Sequence, residues 1–152
     1  MKDNENLIVW EPKYAIGIPK IDQEHMNLVS LCNELYKAIL YTKDNHSVER
    51  RIAVKTVLRE CAKYTQTHFK HEEQLMELCG YEGLGHHKVE HKMFVKKVLE
   101  KCQNFDSETF SSSLEFVRFL YDWILHHIAH TDTLYVKTLK EWLEQKSKQN
   151  KT

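Results

Sequence analysis

Seven side chains able to hold metal ions recur along this chain: His25, then His68 and Glu72, then His87 and His91, then His127 and Asp132. The two middle groups have the spacings H-x-x-x-E and H-x-x-x-H. Residues four apart lie one above the other on one face of a helix, so a single ion can touch both members of such a pair. Four separate regions each supply one or two of these groups. Five imidazoles and two carboxylates are too many for one ion but suit two. Imidazole combined with carboxylate favours iron, zinc, copper or manganese over calcium and magnesium.

The elements that must position these groups are helical. Only four glycines and two prolines occur, and the apolar residues recur with helical period. Residues 1–18 differ. There Trp10, Pro12, Tyr14, Ile16 and Ile18 fall at every second position, yet no second strand candidate exists to pair with them. An extended arm packing its aromatics on a helical body is expected. The first helix begins at Pro19, a residue suited to the first turn. Its inward stripe is Ile21, His25, Leu28, Cys32, Leu35 and Ile39, and it ends near Tyr41. Ser47 caps the second helix, whose stripe is Val57, Cys61, Tyr64, His68, Glu72 and Leu75. Gly80, Gly83 and Gly85 mark the next break. The third helix carries Leu84, His87, His91, Phe94, Val98 and Cys102. A turn at Asn104–Ser107 follows, with Asp106 or Ser107 as cap. The fourth carries Val117, Leu120, Ile124, His127 and Thr131, and continues past Asp132 through Leu139 and Trp142. These readings define an all-α fold, an antiparallel up-down four-helix bundle with an extended N-terminal arm and a short C-terminal helical extension. A single domain over 1–152 is expected, with the arm at 1–18, the bundle over about 19–145 and a fraying polar tail at 146–152.

Bulk properties narrow the function. Twenty-two basic and 22 acidic residues give a formal net charge of zero, which supplies no electrostatic footprint for nucleic acid or an anionic membrane. The most apolar stretch, residues 116–125, is too short and, with Arg118 and Asp122, too charged to span a bilayer. Residues 1–6 are polar and lack the apolar run of a signal peptide, which points to the cytoplasm. None of Cys32, Cys61, Cys79 and Cys102 forms C-x-x-C, so a zinc knuckle or thioredoxin-like site is not indicated. They read as free thiols, those on the stripes as small core residues.

Each of the histidines singled out lies on the apolar stripe of its helix. Histidine and glutamate are costly to bury without partners. One such histidine is ordinarily a hydrogen-bonded core residue, but that explanation would have to hold for all four helices at once. Metal binding supplies what burial requires, because neutral imidazoles donate lone pairs and the cations cancel carboxylate charge. His46, His71, His86, His126 and His130 sit in a turn or beside the stripes and read as surface or supporting residues. No Glu-x-x-His occurs, which sets the site apart from ferritin-like carboxylate centres, and H-E-x-x-H of zinc proteases is absent.

The ordered set Trp10-x-x-x-Tyr14-Ala-Ile-Gly17, Ile21-Asp22-x-x-His25, His68-Phe69-x-x-Glu72-x-x-x-Met76, His87-x-x-x-His91-x-x-Phe94 and Trp123-Ile-x-x-His127-Ile-x-x-x-Asp132-x-x-Tyr135 resembles the hemerythrins, in their bacterial single-domain form. Glu24 stands before His25 where the bacterial pattern often has glutamine. The resemblance implies a non-heme site of two iron ions (Fe2+/Fe3+). One is held by His87, His91 and His127, the other by His25 and His68. Glu72, Asp132 and an oxo or hydroxo group bridge them. The two-histidine iron is then one ligand short, and dioxygen binds there, behind an apolar wall for which Ile124, Leu28, Phe69 and Phe94 are candidates. The implied function is reversible dioxygen binding for storage, delivery or sensing, with an oxygen-using enzyme as a conceivable partner and no catalytic residue. The alternatives are a di-iron enzyme acting on nitric oxide or peroxide, and an iron-buffering module.

Overall fold

A computed structural model describes residues 6–43 and 47–149. Five helices follow one another: α1 (Pro19–Leu40), α2 (Val48–Cys79), α3 (Leu84–Asn104), α4 (Phe110–His126) and α5 (Thr133–Gln149). Short 3-10 turns occur at Pro12–Tyr14 and Phe105–Ser107, and a turn of π-helix at His127–Thr131 joins α4 to α5. No strand occurs among the described residues. Helix α1 packs on α2 and α4, and α2 on α3, as an antiparallel up-down bundle requires. The line α4–π turn–α5 forms the fourth rod and its extension.

Local chemistry sets the helix ends. Pro19 opens α1 from its first turn. The Ser47 hydroxyl accepts from the Arg50 N–H at 3.2 Å and starts α2. Gly80, at φ 71°, closes α2 in the left-handed conformation, with the Tyr81 N–H donating to the Met76 carbonyl at 2.9 Å. The cap of α4 differs from expectation. Thr109 takes that role in a reciprocal box with Ser112, because α3 and its 3-10 turn consume the residues up to Ser107. Asp106 instead pairs with Arg51 and Lys55 of α2.

From residue 6 onward the arm is extended except at Pro12–Tyr14, where a 3-10 turn replaces the expected extended backbone. Its backbone finds side chains in place of a second strand. Asn33 donates to the Ile8 carbonyl and accepts from the Ile8 N–H, both at 2.8 Å. Asp22 accepts from the N–H groups of Ile16 and Gly17 at 2.7 and 3.1 Å. Gly17 has φ 87°, and a Cβ there would lie 2.9 Å from the Lys140 ammonium, so the bend into α1 needs glycine. Residues 1–5 of the arm lie outside the described residues. So does His46. The chain expected to fray from residue 146 is helical to Gln149, and residues 150–152 lie outside the description.

On α2 the buried face is wider than the expected stripe. Val54, Leu58, Cys61, Ala62, Thr65, His68, Phe69, Glu72 and Met76 are buried, while Val57, Tyr64 and Leu75 are half-buried flanks. The reason is that α2 touches both α1 and α3. On α3, Cys102 is half-buried and Lys101 is the buried residue. The Lys101 ammonium pairs with Glu108 and lies 5.8 and 5.7 Å from the Phe105 and Phe116 ring centres. Cys32 and Cys61 are buried free thiols, as expected of core residues.

The core has two apolar layers with a polar layer between. The larger contains Leu28, Leu35, Ile39, Leu58, Phe69, Phe94, Leu120 and Ile124. The smaller contains Ile16, Ile21, Met76, Tyr135 and Leu139. Each rod passes from one to the other through metal-binding residue types. Along α1 this is Ile21, His25, Leu28, and along α2 it is Phe69, Glu72, Met76. Helix α3 runs from Leu84 through His87 and His91 to Phe94, and the fourth rod from Ile124 through His127 and Asp132 to Tyr135.

Candidate metal centre

All seven residues singled out in the sequence meet in that middle layer, and each is buried. Their donor atoms fall into two overlapping groups, each with its atoms within 4.8 Å of one another. One group is His87, His91, His127, Glu72 and Asp132. The other is His25, His68, Glu72 and Asp132. The two carboxylates belong to both. Asp132 Oδ1 lies 2.9 Å from the Nε2 atoms of both His87 and His127, and its Oδ2 lies 3.0 Å from His25 Nε2. Glu72 Oε1 lies against His68 Nε2 and 3.5 Å from His25 Nε2.

The π turn is what allows Asp132 to take part. Five residues along an ordinary α-helix turn a side chain well off the starting face. Here the Asp132 N–H donates to the His127 carbonyl at 2.7 Å. That i→i+5 bond widens one turn and returns Asp132 to the face of His127. The continuous helix expected through this segment is corrected on that point. The signal was present in the spacing, since two inward groups five apart do not fit an α-helix.

An outer layer of carboxylates surrounds the histidines. His68 Nδ1 contacts Glu24 at 2.7 Å, His91 Nδ1 contacts Glu73 at 2.8 Å, and His127 Nδ1 lies 3.6 Å from Glu90. Each of these acids is adjacent in sequence to a donor residue, yet each reaches a histidine on the next rod: α1 to α2, α2 to α3, α3 to the π turn. Glu24 therefore serves His68 and not its neighbour His25. Its other oxygen contacts the half-exposed His71 at 2.9 Å. A carboxylate that accepts from Nδ1–H leaves the Nε2 lone pair facing inward. Only Glu24 among these acids was noticed in the sequence. Glu73 and Glu90 were readable solely as neighbours of Glu72 and His91. His126 and His130 are exposed, as their offsets from the stripe suggested.

The polar interior is unbalanced without cations. Both nitrogens of His25, both oxygens of Glu72, Asp132 Oδ2 and His127 Nδ1 have no hydrogen-bond partner, and neither has the Tyr135 hydroxyl. His91 Nε2 and His127 Nε2 face each other at 3.0 Å. Buried polar groups of this kind require a partner, and convergent imidazole and carboxylate donors are what transition-metal ions demand. The residues therefore fit a pair of metal ions.

Electrostatics in the metal-free protein point the same way. Burial opposes charging His25 and His68, but contacts with Asp132, Glu72 and Glu24 overcome it, pushing His25 to about 9 and His68 to about 10. Burial would raise Asp132, yet His127, His25 and His87 hold its carboxyl well below the usual range. His91 is driven down to about 2 by burial and by the neighbouring His127 and His87. It stays a neutral lone-pair donor. Burial, with Glu72 and Asp132 alongside, raises the Tyr135 hydroxyl above the usual tyrosine range.

The candidate wall residues Leu28, Phe69, Phe94 and Ile124 are all buried in the larger apolar layer. The Phe69 ring stacks on His91, with centroids 3.8 Å apart and planes within 1°. Phe94 lies farther out and stacks on Trp123 at 4.2 Å.

Comparison with known proteins agrees with this geometry. A family model described as the hemerythrin HHE cation binding domain matches residues 16–139. A bacteriohemerythrin of Stenotrophomonas maltophilia is 33% identical over 147 residues, 96% of this chain and 90% of that one. A bacteriohemerythrin of Clostridium acetobutylicum is 30% identical over 131 residues, 86% of this chain and 99% of its own length. A solved wild-type hemerythrin structure superposes with a TM-score of 0.74 at 26% identity, over 88% of this chain and 98% of that one.

Proposed function

The chain belongs to the hemerythrin family, and from that membership we propose that it binds dioxygen reversibly at a di-iron centre, as a single domain in the cytoplasm, for storage, delivery or sensing. The observation that carries this reading is the division of the donors into two groups sharing Glu72 and Asp132. In the proposed assignment His87, His91 and His127 hold one iron, and His25 and His68 the other. Glu72 and Asp132 are common to both. A ferrous pair there supplies the two electrons that reversible oxygen binding needs.

The chain's own residues do the rest. Glu24 and Glu73 fix the imidazole planes of His68 and His91 from outside, so that Nε2 points inward, and the Glu90 carboxylate stands 3.6 Å from the outer nitrogen of His127. Leu28, Phe69, Phe94 and Ile124 close the interior on the side of the larger apolar layer and keep water and protons from the bound gas. The two-histidine side has one donor fewer, and the oxygen position is assigned there. Binding is favoured over catalysis because, among the described residues, the buried titratable side chain beside the donors that is not itself one of them is Tyr135, and burial with Glu72 and Asp132 alongside makes its hydroxyl a poor proton donor. Nitric oxide is a second diatomic ligand of the right size.

The test is anaerobic reconstitution followed by oxygen. Two irons per chain and a visible band that appears with oxygen and disappears under vacuum are expected. One zinc per chain with no iron uptake, or steady turnover of nitric oxide or peroxide with an added donor and no stable oxygen adduct, would replace this reading.

A further inference from the structure

Outside the centre stands a pair of imidazoles that the proposed oxygen chemistry does not use. His126 and His130 are exposed, four residues apart, where α4 passes into the π turn. Their ring centres are 5.2 Å apart. Inside the centre the separations are 4.6 Å for His87 and His91, 4.8 Å for His25 and His68, and 4.9 Å for His91 and His127. A first-row ion held about 2.0–2.1 Å from a nitrogen of each of two rings, in tetrahedral geometry, puts the ring centres roughly 5 Å apart. The exposed pair is thus spaced as a chelate. Among the described residues neither ring has a hydrogen-bond or ion-pair partner. Asp122, four residues before His126 and also exposed, continues the same face with a carboxylate.

A route inward begins beside this pair. A groove of about 430 Å³ between α3 and α4 has Glu90, Trp123, His126 and His127 in its lining. Of the three outer carboxylates, Glu90 is the most loosely held. Glu24 lies 2.7 and 2.9 Å from His68 and His71, and Glu73 lies 2.8 Å from His91. Glu90 lies 3.3 Å from His86 and 3.6 Å from His127. The nitrogen it faces, His127 Nδ1, is buried without a hydrogen-bond partner. The Lys97 ammonium is turned away, 5.5 Å from the Phe119 ring centre and roughly two turns along α3 from Glu90.

On the basis of the di-iron reading, we propose that His126 and His130 form a surface docking site for ferrous iron, and that Glu90 relays the ion from there to the centre. The donor types suit it, because imidazole with carboxylate selects first-row transition ions over calcium and magnesium. The ion stays ferrous and only exchanges ligands. Water gives way to the two imidazoles at the surface, these to the Glu90 carboxylate, and that to the inner donors. Docking beside the entrance raises the local concentration of iron. Uptake then no longer waits on a free ion reaching a centre whose donors are all buried.

The docking site is probed with nickel. Protein already filled with iron is titrated with Ni2+, and one further ion per chain is expected. His126→Gln and His130→Gln should each abolish it. His130→Glu, which keeps a donor at the H-x-x-x-E spacing of His68 and Glu72, should retain it in weaker form. Uptake is then timed by mixing metal-free protein anaerobically with scarce ferrous iron and measuring the iron retained after desalting. The variant lacking both histidines is expected to load about tenfold more slowly, and Glu90→Gln, which keeps nickel binding, should also slow. With abundant iron, which does not need to be concentrated at the surface, the rates of wild type and the double variant should converge. Nickel binding that survives both single substitutions, or equal loading rates with scarce iron, overturns the proposal. So does a final iron content in the double variant below that of wild type, the sign that these histidines support the centre itself. A wild-type content other than two irons per chain strikes at the di-iron reading, whereas nickel binding to the filled protein judges the docking site apart from it.

Discussion

Ile124→Ala tests whether the apolar wall protects the oxygen adduct. Ile124 is fully buried, one turn before His127, in the layer that also holds Leu28 and Phe69. The substitution removes three carbons. At about 0.8 kcal/mol per buried carbon the transfer loss is about 2.4 kcal/mol. The residual cavity brings the total to roughly 2–5 kcal/mol. That is a large share of the roughly 5–15 kcal/mol that stabilises a domain, so the metal-free variant should unfold at distinctly lower denaturant while the loaded one survives. The space left lies one turn from His127, beside the donor layer, and can admit a water. Water at that place supplies the proton that the dry wall withholds. The expected result is near-normal iron content with faster decay of the oxygen adduct in air, followed as loss of its visible band. An unchanged decay rate at intact iron loading refutes the assignment of Ile124 to the gate, and Leu28→Ala would then be the next substitution to make.

Chelation should lower the thermal midpoint by on the order of 10 °C, since ligand held about a thousandfold above its dissociation constant contributes about 4 kcal/mol; equal midpoints before and after chelation would speak against a buried centre. Metal uptake should release protons. His25 and His68 rise to about 9 and about 10 in the metal-free protein, so both are charged at neutral pH and must deprotonate to donate. Apparent affinity is expected to climb with pH through this window and level off above it, while His91, neutral down to about 2, releases none; titration in an indicator dye that shows no proton release would contradict this. Deleting the exposed Ala129 should convert the π turn to α-helix. His127 and Asp132 would then stand four apart on one face, so helical content and two irons per chain are expected to persist. Inserting an alanine at the same place should turn Asp132 away and lower the iron content measured after reconstitution.

Much of the fold follows from local rules that a sequence displays. Pro19, Ser47 and Gly80 mark helix ends by mechanisms confined to a few residues. The stripe of α1 falls where helical spacing puts it, and on α3 so do His87, His91, Phe94 and Val98. Where neighbours decide, the sequence is less informative. Helix α2 buries a wider face than its stripe suggested because two helices flank it. The α4 cap lies at Thr109 because α3 runs on into a 3-10 turn before it. Lys101 is buried because Glu108 and two aromatic rings meet it, and those partners belong to other elements.

The metal centre divides along the same line. The seven buried imidazole and carboxylate side chains of the candidate centre were legible because burying histidine and carboxylate on apolar stripes is costly, and cost of that kind shows up in residue type and spacing alone. The sequence thereby determined which side chains face inward and that the polar layer they form needs partners. Only the tertiary structure decided how they combine. It placed Asp132 between the two histidine groups by means of one i→i+5 bond. It turned Glu24, Glu73 and Glu90 from sequence neighbours of donors into partners of histidines on the adjoining helix. It also set the Trp123 indole against His127 at the floor of a groove. The physical reason is one of range. Helical periodicity fixes direction within a rod, whereas coordination, orientation and access depend on the relative height and rotation of separate rods, which are set by packing across the whole core.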